Sequence, residues 1–218
     1  VDGFKIGKVG PPLPGVSVRI APDGEIQARG INIFDGYWKN EAATAEAFDG
    51  EWFLTGDIGE IDSDGYLQIT GRKKEIIVTA GGKNVAPALL EDRLRGHPLV
   101  SQVVVVGDQR PFIGALVTLD VDSLPGWLAA HGHPEMSVAE ASKNPAVLAS
   151  LDKAVERTNQ AVSRAESIRK YQILPEDLTI ANGYLTPKLS VRRMDVLKDF
   201  AGEIDALYGG PASAGPRE

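Results

Sequence analysis

Residues 52–84, WFLTGDIGEIDSDGYLQITGRKKEIIVTAGGKN, decide how the rest of the chain is interpreted. A strand-like run ends at Thr55-Gly56-Asp57, and Asp64-Gly65 follows between two runs of alternating apolar residues. An Asp-Gly pair in that setting is typical of the turn of a β-hairpin. The hairpin would bring Asp57 and Arg72 close together at the far ends of two neighbouring strands.

The side chains of Asp57 and Arg72 have complementary chemistry. A carboxylate only accepts hydrogen bonds, whereas a guanidinium donates several of them in one plane. Together they could hold a ligand that carries a diol at one end and an anion nearby, such as a nucleotide. The alternative is an isolated surface ion pair, an arrangement that is common and contributes little to stability.

Composition limits the classes of function. The 218-residue chain is 43% apolar and 24% charged, which is typical of a globular protein with one large or two small domains. A net charge of −7 argues against a nucleic-acid partner, because binding one requires basic residues that neutralise phosphates. The absence of cysteine excludes disulfides and makes a cytoplasmic location the simplest expectation. His131 and His133 lack a further Cys or His ligand, so we expect no metal site.

Turn signals divide the first part of the chain into short strand-like runs. Residues 1–71 are predicted to form a small antiparallel β unit, punctuated by Asp-Gly pairs. One Ala-rich stretch from Glu41 to Phe48 has helical character, and Asn40 is suited to cap it.

The pattern changes from Glu75 onward, where helices and strands alternate. The predicted elements are a strand at 75–79, a helix at 86–95, strands at 102–106 and 112–119, a helix opened by Asn144-Pro145, a strand at 171–173, and a helical stripe of Leu197, Phe200, Ile204 and Leu207 that packs on the sheet. We therefore predict an α+β fold, in which the antiparallel β subdomain is joined by a hinge to an α+β domain with a small sheet flanked by helices.

Several short motifs, in order and at suitable spacing, resemble the adenylate-forming acyl-activating superfamily and, within it, the long-chain fatty acyl-CoA synthetases. The motifs are Gly24-Glu25-Ile26 through Gly36-Tyr37-Trp38, Thr55-Gly56-Asp57, Asp64-Gly65-Tyr66, Gly71-Arg72-Lys73-Lys74-Glu75, Ala80-Gly81-Gly82-Lys83-Asn84 and Leu185-Thr186-Pro187. The segment from Asp108 through the helix predicted at Asn144–Ser167 and the run SRAESIRKY at 163–171 resemble the long-chain branch of the family.

The resemblance implies an activity and a domain organisation. The family reaction is ATP-dependent ligation of a fatty acid to CoA through an acyl-adenylate, with ATP and Mg as cofactors and CoA as co-substrate. Residues 1–73 would be the tail of a large N-terminal domain, 74–210 a mobile C-terminal domain, and 211–218 a disordered tail. The rest of the N-terminal domain would carry the phosphate loop, the acyl pocket and a magnesium-binding Glu, so we expect this chain alone to be inactive.

The resemblance also implies roles for particular residues. Asp57 would hold the ribose hydroxyls and Arg72 the ribose or phosphate side of the nucleotide, while Lys74 would be the interdomain hinge. The loop of Gly81, Gly82 and Lys83 would line the passage for the pantetheine arm of CoA. Without the resemblance, the basic run would be an ordinary solvated surface and the glycines an ordinary tight turn.

The last motif departs from the family pattern. Long-chain members usually carry a lysine three residues after Leu-Thr-Pro, where this chain has Ser190, while Lys188 stands two residues earlier. A mobile ammonium can neutralise reacting carboxylate and phosphate oxygens, which serine cannot do. In an extended segment residues two apart face the same side, so we assign the catalytic lysine to Lys188. Altered adenylation and a sequence deviation are the alternatives.

Two other functions remain open at this stage. One is a fatty acyl-AMP ligase that passes the acyl group to a carrier protein, and the other is a non-catalytic partner-binding module with the same fold. The expected partners are the small molecules fatty acid, ATP and CoA, together with the rest of the N-terminal domain, and no nucleic acid. Peripheral association with a membrane is left open beside the cytoplasmic location.

Overall fold

The computed structural model of the protein describes residues 4–209, so the tail predicted at 211–218 lies outside the described part. The chain forms two compact units, Val1–Ile76 and Ile77–Glu218. The boundary predicted between residues 73 and 74 stays a prediction about the intact protein.

The first unit is an antiparallel sheet with one short helix on the path between its strands. Its elements are β1 (Val16–Ile20), β2 (Glu25–Gly30), α1 (Glu41–Ala47), β3 (Phe48–Asp49), β4 (Trp52–Ile61), β5 (Leu67–Arg72) and a 3₁₀ turn (Lys73–Glu75). The strand order is β1-β2-β4-β3, with β5 also paired to β4. The predicted cap of α1 is confirmed, since the Asn40 side chain accepts a hydrogen bond from the Ala43 N–H.

The predicted hairpin joins β4 to β5. Asp62 Oδ1 accepts hydrogen bonds from the N–H groups of Asp64 and Tyr66 at 3.0 and 2.9 Å, and Gly65 supplies the left-handed φ of +83° that the turn requires. The hydrogen bond from the Tyr66 N–H lowers the pKa of Asp62 most, and the hydrogen bond from the Lys5 ammonium lowers it further. The turn sets the pairing of β4 with β5 as far as Gly59 opposite Ile69. A register shift between Gly59 and Ile58 then skips Thr70, and this shift places Asp57 directly opposite Arg72.

The second unit places helices on a mixed sheet. Its elements are β6 (Ile77–Val78), β7 (Asn84–Val85), α2 (Pro87–Arg95), β8 (Val100–Val106), β9 (Ile113–Leu119), α3 (Leu124–Ala130), α4 (Val138–Ala141), α5 (Pro145–Asn159), β10 (Ile168–Ile173), α6 (Arg193–Asp199) and α7 (Ala201–Gly209). The sheet order is β10-β9-β8, with β8 antiparallel and β10 parallel to the central β9, while β6 and β7 form a separate small ladder.

The strand β9 runs through the core with both faces covered. All seven of its residues are buried, and alternate side chains enter different clusters. Ala115 and Val117 pack in the cluster that includes α2 and α5, whereas Leu116 packs in the cluster formed with α6 and α7. This period of two is what a strand buried on both sides requires, and each fully buried aliphatic side chain contributes about 1.5–3 kcal/mol.

Three local predictions need correction. The strand predicted at 75–79 is shorter, because residues 73–75 form the 3₁₀ turn and pairing begins only at Ile77. The helix predicted to run from Asn144 to Ser167 ends at Asn159, and the final helical stripe is interrupted at Phe200 between α6 and α7. The stripe nevertheless packs on the sheet as predicted, because its members share one cluster with β8 and β9.

None of the helices within residues 4–209 is both long enough and apolar enough to cross a bilayer.

Candidate active site

A cavity of about 690 Å³ opens in the first unit beside the end of β5. Its wall includes the aromatic rings of Tyr37 and Phe53, which belong to a cluster with Phe34 and Phe48 at ring separations of 5.0–5.6 Å. The lining also includes six charged residues, namely Glu25, Glu46, Arg72, Lys73, Lys74 and Glu75. A lining that combines aromatic with charged side chains suits a ligand with a flat ring and an anionic group.

The sheet brings Asp57 next to Arg72. Arg72 Nη1 lies 2.8 Å from Asp57 Oδ1, with 61% of the Arg72 side chain and 23% of the Asp57 side chain exposed. Arg72 also lines the cavity. The predicted proximity of the two residues is therefore confirmed, and their accessible remaining donor and acceptor positions can still engage a ligand. Their nucleotide-binding role stays a prediction.

The β4 strand turns sharply at Gly56, just before Asp57. Gly56 has a φ of +71°, and its N–H donates to Glu25 Oε1 at 2.9 Å. The Thr55 hydroxyl donates to the Ile26 carbonyl at 2.6 Å and accepts from the Asp57 N–H at 3.1 Å. The Thr-Gly-Asp motif therefore orients Asp57 through its own backbone.

Sequence reasoning missed the role of Glu25 and Lys73. The Glu25 carboxylate is 4% exposed and accepts from Lys73 Nζ at 2.8 Å, while Lys73 also pairs with Asp23 at 2.7 Å. Hydrogen bonding to Asp23 and then to Glu25 raises the pKa of Lys73, and the same contact lowers the pKa of Asp23. This network anchors the residue next to Arg72. Glu25 lies in the motif Gly24-Glu25-Ile26, but nothing in the sequence indicated that its partner is Lys73.

Lys74 lies in the 3₁₀ turn and is exposed, as are its neighbours Arg72, Lys73 and Glu75. Within residues 4–209 the Lys74 side chain makes no hydrogen bond or ion pair. A pivot residue needs few side-chain contacts, so this environment is compatible with the predicted hinge, which stays a prediction.

The Gly81-Gly82-Lys83 loop, in the second unit, is a tight turn closed on Thr79. The Gly82 N–H donates to the Thr79 carbonyl at 2.8 Å, and the Lys83 N–H donates to the Thr79 hydroxyl at 3.2 Å. Gly82 has a φ of +75°, which explains its glycine by conformation alone. Gly81 has no such left-handed φ, so the turn geometry alone does not require a glycine there. Lys83 pairs with Glu166 at 3.5 Å.

Lys188 lies at the tip of a hairpin, and the predicted extended conformation of residues 188–190 is wrong. The Leu189 N–H donates to the Thr186 carbonyl at 2.8 Å, the Thr186 N–H donates to the Ser190 carbonyl at 2.9 Å, and Leu189 has a φ of +62°. This is a three-residue hairpin loop whose last residue, Leu189, is left-handed. Lys188 is therefore exposed at the turn itself, whereas Ser190 pairs back to Thr186. The catalytic role of Lys188 stays a prediction.

The described part of the chain does not fit a magnesium site. Among residues 4–209, no group of three or more His, Cys, Asp or Glu residues is arranged so that it could hold a metal ion. No chemical step is therefore assigned to a metal held by these residues.

Comparison with known proteins places the chain in a family. The model of the AMP-binding enzyme C-terminal domain matches residues 74–211. The long-chain-fatty-acid–CoA ligase FadD15 of Mycobacterium tuberculosis is 57% identical over 208 residues, which cover 95% of this chain and 35% of that protein. The human long-chain-fatty-acid–CoA ligase ACSBG1 is 35% identical over 229 residues, covering 94% of this chain and 32% of that protein. The chain thus spans about a third of the length of the curated relatives it matches.

Solved structures agree on the fold. The A domain of carboxylic acid reductase from Segniliparus rugosus, in complex with AMP and a co-purified carboxylic acid, has a TM-score of 0.68 at 27% identity over 91% of this chain and 32% of that chain. The o-succinylbenzoate CoA synthetase of Bacillus subtilis in complex with AMP has a TM-score of 0.61 at 23% identity over 88% of this chain and 35% of that chain, a likeness of fold alone. The predicted α+β fold class is confirmed. The chain belongs to the AMP-binding, adenylate-forming enzyme superfamily.

Proposed function

We propose that the chain is the C-terminal part of an ATP-dependent long-chain fatty acid–CoA ligase. In the first step an oxygen of the fatty carboxylate bonds to the α-phosphorus of ATP, and the bond from that phosphorus to pyrophosphate breaks. In the second step the CoA thiol loses its proton to solvent, its sulfur bonds to the acyl carbon, and the bond to AMP breaks. Relatives at 57% and 35% identity that carry this name support the proposal.

The observation that carries the proposal is the Asp57–Arg72 pair, with Arg72 facing the cavity of the first unit. The Asp57 carboxylate accepts hydrogen bonds from the ribose hydroxyls, as carboxylates do in dinucleotide folds. Arg72 donates to the ribose or phosphate oxygens, and the aromatic wall of the cavity is available to the flat base. The Glu25–Lys73 contact holds the end of β5 during binding.

The remaining residues act at different stages. Lys188 presents an ammonium to the carboxylate and α-phosphate oxygens as the adenylate forms, where a positioned positive charge stabilises developing negative charge. Lys74 is the pivot that lets the second unit change its pose. The Gly81–Lys83 loop then serves the thioester step, where the absence of a Cβ lets the pantetheine arm pass close to the backbone.

The test uses the full-length protein that contains this chain. Release of AMP that depends on both fatty acid and CoA is expected. Asp57→Ala should lower kcat/KM for ATP about 10- to 100-fold, since hydrogen bonds to a charged group contribute about 1.5–3 kcal/mol each. Asp49→Ala is the matched control, because Asp49 forms a similar ion pair with Arg19 at 3.1 Å elsewhere on the same sheet, and its partner Arg19 does not line the cavity whereas Arg72 does.

Three other results would reject parts of the proposal. Acyl-adenylate that accumulates without CoA-dependent release of AMP would indicate a ligase that serves a carrier protein. Absence of adenylate altogether, with Ser190→Lys giving no gain, would favour the non-catalytic module. Equal effects of Asp57→Ala and Asp49→Ala would remove Asp57 from the nucleotide site.

A further inference from the structure

The second unit contains a largely buried ion pair that the proposed reaction does not use directly. Arg193, the first residue of α6, donates from Nη2 to Glu91 Oε1 on α2. The Arg193 side chain is 18% exposed and the Glu91 side chain 10% exposed. Charges this far from water are costly unless they are paired and hydrogen-bonded.

The pair closes on the backbone of one residue of β8. The Val105 N–H donates to Glu91 Oε1 at 2.7 Å, and Arg193 Nη1 donates to the Val105 carbonyl at 2.9 Å. Because β8 is the outer strand of the order β10-β9-β8, these backbone groups point away from β9 and need other partners. Glu91 and Arg193 therefore tie α2, the sheet edge and the start of α6 into one hydrogen-bonded unit.

The tie lies directly next to the hairpin that carries Lys188. This hairpin, residues 184–192, is closed at its base by the Arg192 N–H, which donates to the Tyr184 carbonyl at 2.8 Å, and by the Leu185–Val191 bridge. Arg193 directly follows the last residue of the hairpin. Its side chain therefore attaches the base of the hairpin to the edge of the sheet at Val105.

The neighbouring arginine shows how specific this placement is. Arg192 is exposed, and within residues 4–209 its side chain makes no hydrogen bond or ion pair. Two adjacent arginines of the same motif thus have different environments. A buried ion pair adds little net stability compared with apolar packing, so a contribution to geometry is the better explanation for this one.

We infer that Arg193, held by Glu91, is a positioning residue that sets the place of Lys188 for the adenylation step. The inference rests on the proposed role of Lys188. Arg193 itself contacts protein only, and its planar guanidinium makes both contacts at once in a way that a lysine ammonium cannot reproduce.

The test compares Arg193→Gln with Arg192→Gln in the full-length protein, since both changes remove one positive charge from adjacent positions. Arg193→Gln should lower fatty-acid-dependent ATP–pyrophosphate exchange at least about tenfold, a loss of about 1.4 kcal/mol of transition-state stabilisation. Acyl transfer from preformed acyl-adenylate to CoA should change less than about twofold in the same variant, because the hairpin is assigned to the first step only. Arg192→Gln should leave both rates within about twofold.

A readout independent of the reaction separates this inference from the proposed function. Hydrogen exchange of the amides at 186–192, measured by mass spectrometry, should become at least about tenfold faster in Arg193→Gln and stay unchanged in Arg192→Gln. Arg193→Lys and Glu91→Gln each keep part of the network, so their exchange rates at 186–192 should lie between those of the wild type and Arg193→Gln. These two variants replace Arg193→Gln in the test if that variant does not fold.

Unchanged exchange in all three variants of the pair would overturn the inference. So would an equal loss of both half-reactions, which a general loss of folding would produce. Faster exchange together with normal adenylation, in a protein where Lys188→Ala abolishes adenylation, would also overturn the positioning role. If Lys188→Ala has no effect, the proposed role of Lys188 fails, and faster exchange still supports the structural part of the inference.

Discussion

Leu189 adopts a backbone conformation that its side chain disfavours. Its φ is +62° although its side chain is 65% exposed and gains little from burial. A left-handed conformation costs a non-glycine residue roughly 1–2 kcal/mol. The cost falls next to Lys188, at the tip of the hairpin. Residues with strained backbones cluster at functional sites in proteins, so the strain agrees with the role proposed for Lys188.

We expect Leu189→Asn to raise the free energy of unfolding of the second unit by about 0.5–1 kcal/mol, because asparagine tolerates the left-handed region. Leu189→Val should lower it by about 1 kcal/mol, since a β-branched residue fits that region worst. Urea unfolding followed by circular dichroism measures both. Ile180→Asn is the control, because Ile180 is 50% exposed and has no positive φ. A lower stability for Asn than for Val at position 189 would contradict the prediction.

His97 is buried at the end of α2 and makes two hydrogen bonds. Its Nδ1 accepts from the Leu99 N–H at 3.2 Å, which leaves Nε2 to donate to the Ser150 hydroxyl at 3.0 Å. Burial, and secondly the charge of Arg157, lower the pKa of His97 from its ordinary value. The neutral ring is therefore the form that fits the folded protein.

This direction of shift predicts how stability depends on pH. The contribution of His97 is complete above the ordinary histidine pKa of about 6.5 and is lost as the pH falls through the lower pKa of the folded state, because the unfolded chain binds the proton more readily. Urea unfolding at pH 7.5 and 5.0 should show a larger loss of stability for the wild type than for His97→Asn. Equal losses in the two proteins would be evidence against the assignment.

At the scale of elements, α5 depends on its N-terminal cap. The Asn144 side chain accepts from the N–H of Ala146 at 2.9 Å and of Val147 at 3.4 Å, and Pro145 follows at the first helical position. The helix buries Val147, Leu151 and Val155 in the larger core cluster, so fraying at its start reaches the core.

Removal of this cap should destabilise the second unit by a predictable amount. Asn144→Ala is expected to cost about 1 kcal/mol of unfolding free energy, whereas Asn144→Asp should retain most of the stability because aspartate caps equally well. Urea unfolding compares the three proteins. If the alanine variant were as stable as the aspartate variant, the cap would not contribute to stability.

At the scale of the whole molecule, the apolar core is distributed unevenly. The buried residues of both core clusters lie between Ile77 and Leu207. Among the described residues of the first unit, Ile26 is the single buried aliphatic residue. The first unit instead exposes large apolar side chains, among them Phe4, Ile6, Ile31 and Trp38 at 80–91%. A unit with so little buried surface is marginal as an independent domain.

Residues 74–218 expressed alone should therefore unfold cooperatively in urea and show a dispersed amide spectrum. Residues 1–73 alone should show neither property, since the apolar area they bury is too small to offset the loss of chain entropy. A cooperative transition in residues 1–73 alone would contradict the prediction that this segment cannot fold by itself. Absence of such a transition in residues 74–218 would contradict the prediction that the second unit folds independently.

The local features of this protein were readable from its sequence. The Asp-Gly hairpin predicted that β4 and β5 pair and that Asp57 and Arg72 lie close together, whereas the one-residue register shift that places them directly opposite each other was not predicted. The cap of α1 and the start of α5 at Asn144-Pro145 were also predicted, because the interacting groups are only a few residues apart. Turns, caps and periodicity are encoded locally, so a single sequence is sufficient for them.

Contacts between distant residues were decided only by the tertiary structure. Lys73 meets Glu25 across 48 residues and Arg193 meets Glu91 across 102, and no local pattern relates these partners. The same holds for the hairpin at Lys188, where the left-handed Leu189 contradicts the local preference of leucine. Such contacts depend on how separately formed elements pack, and a strained or buried charged residue persists only because its surroundings hold it in place.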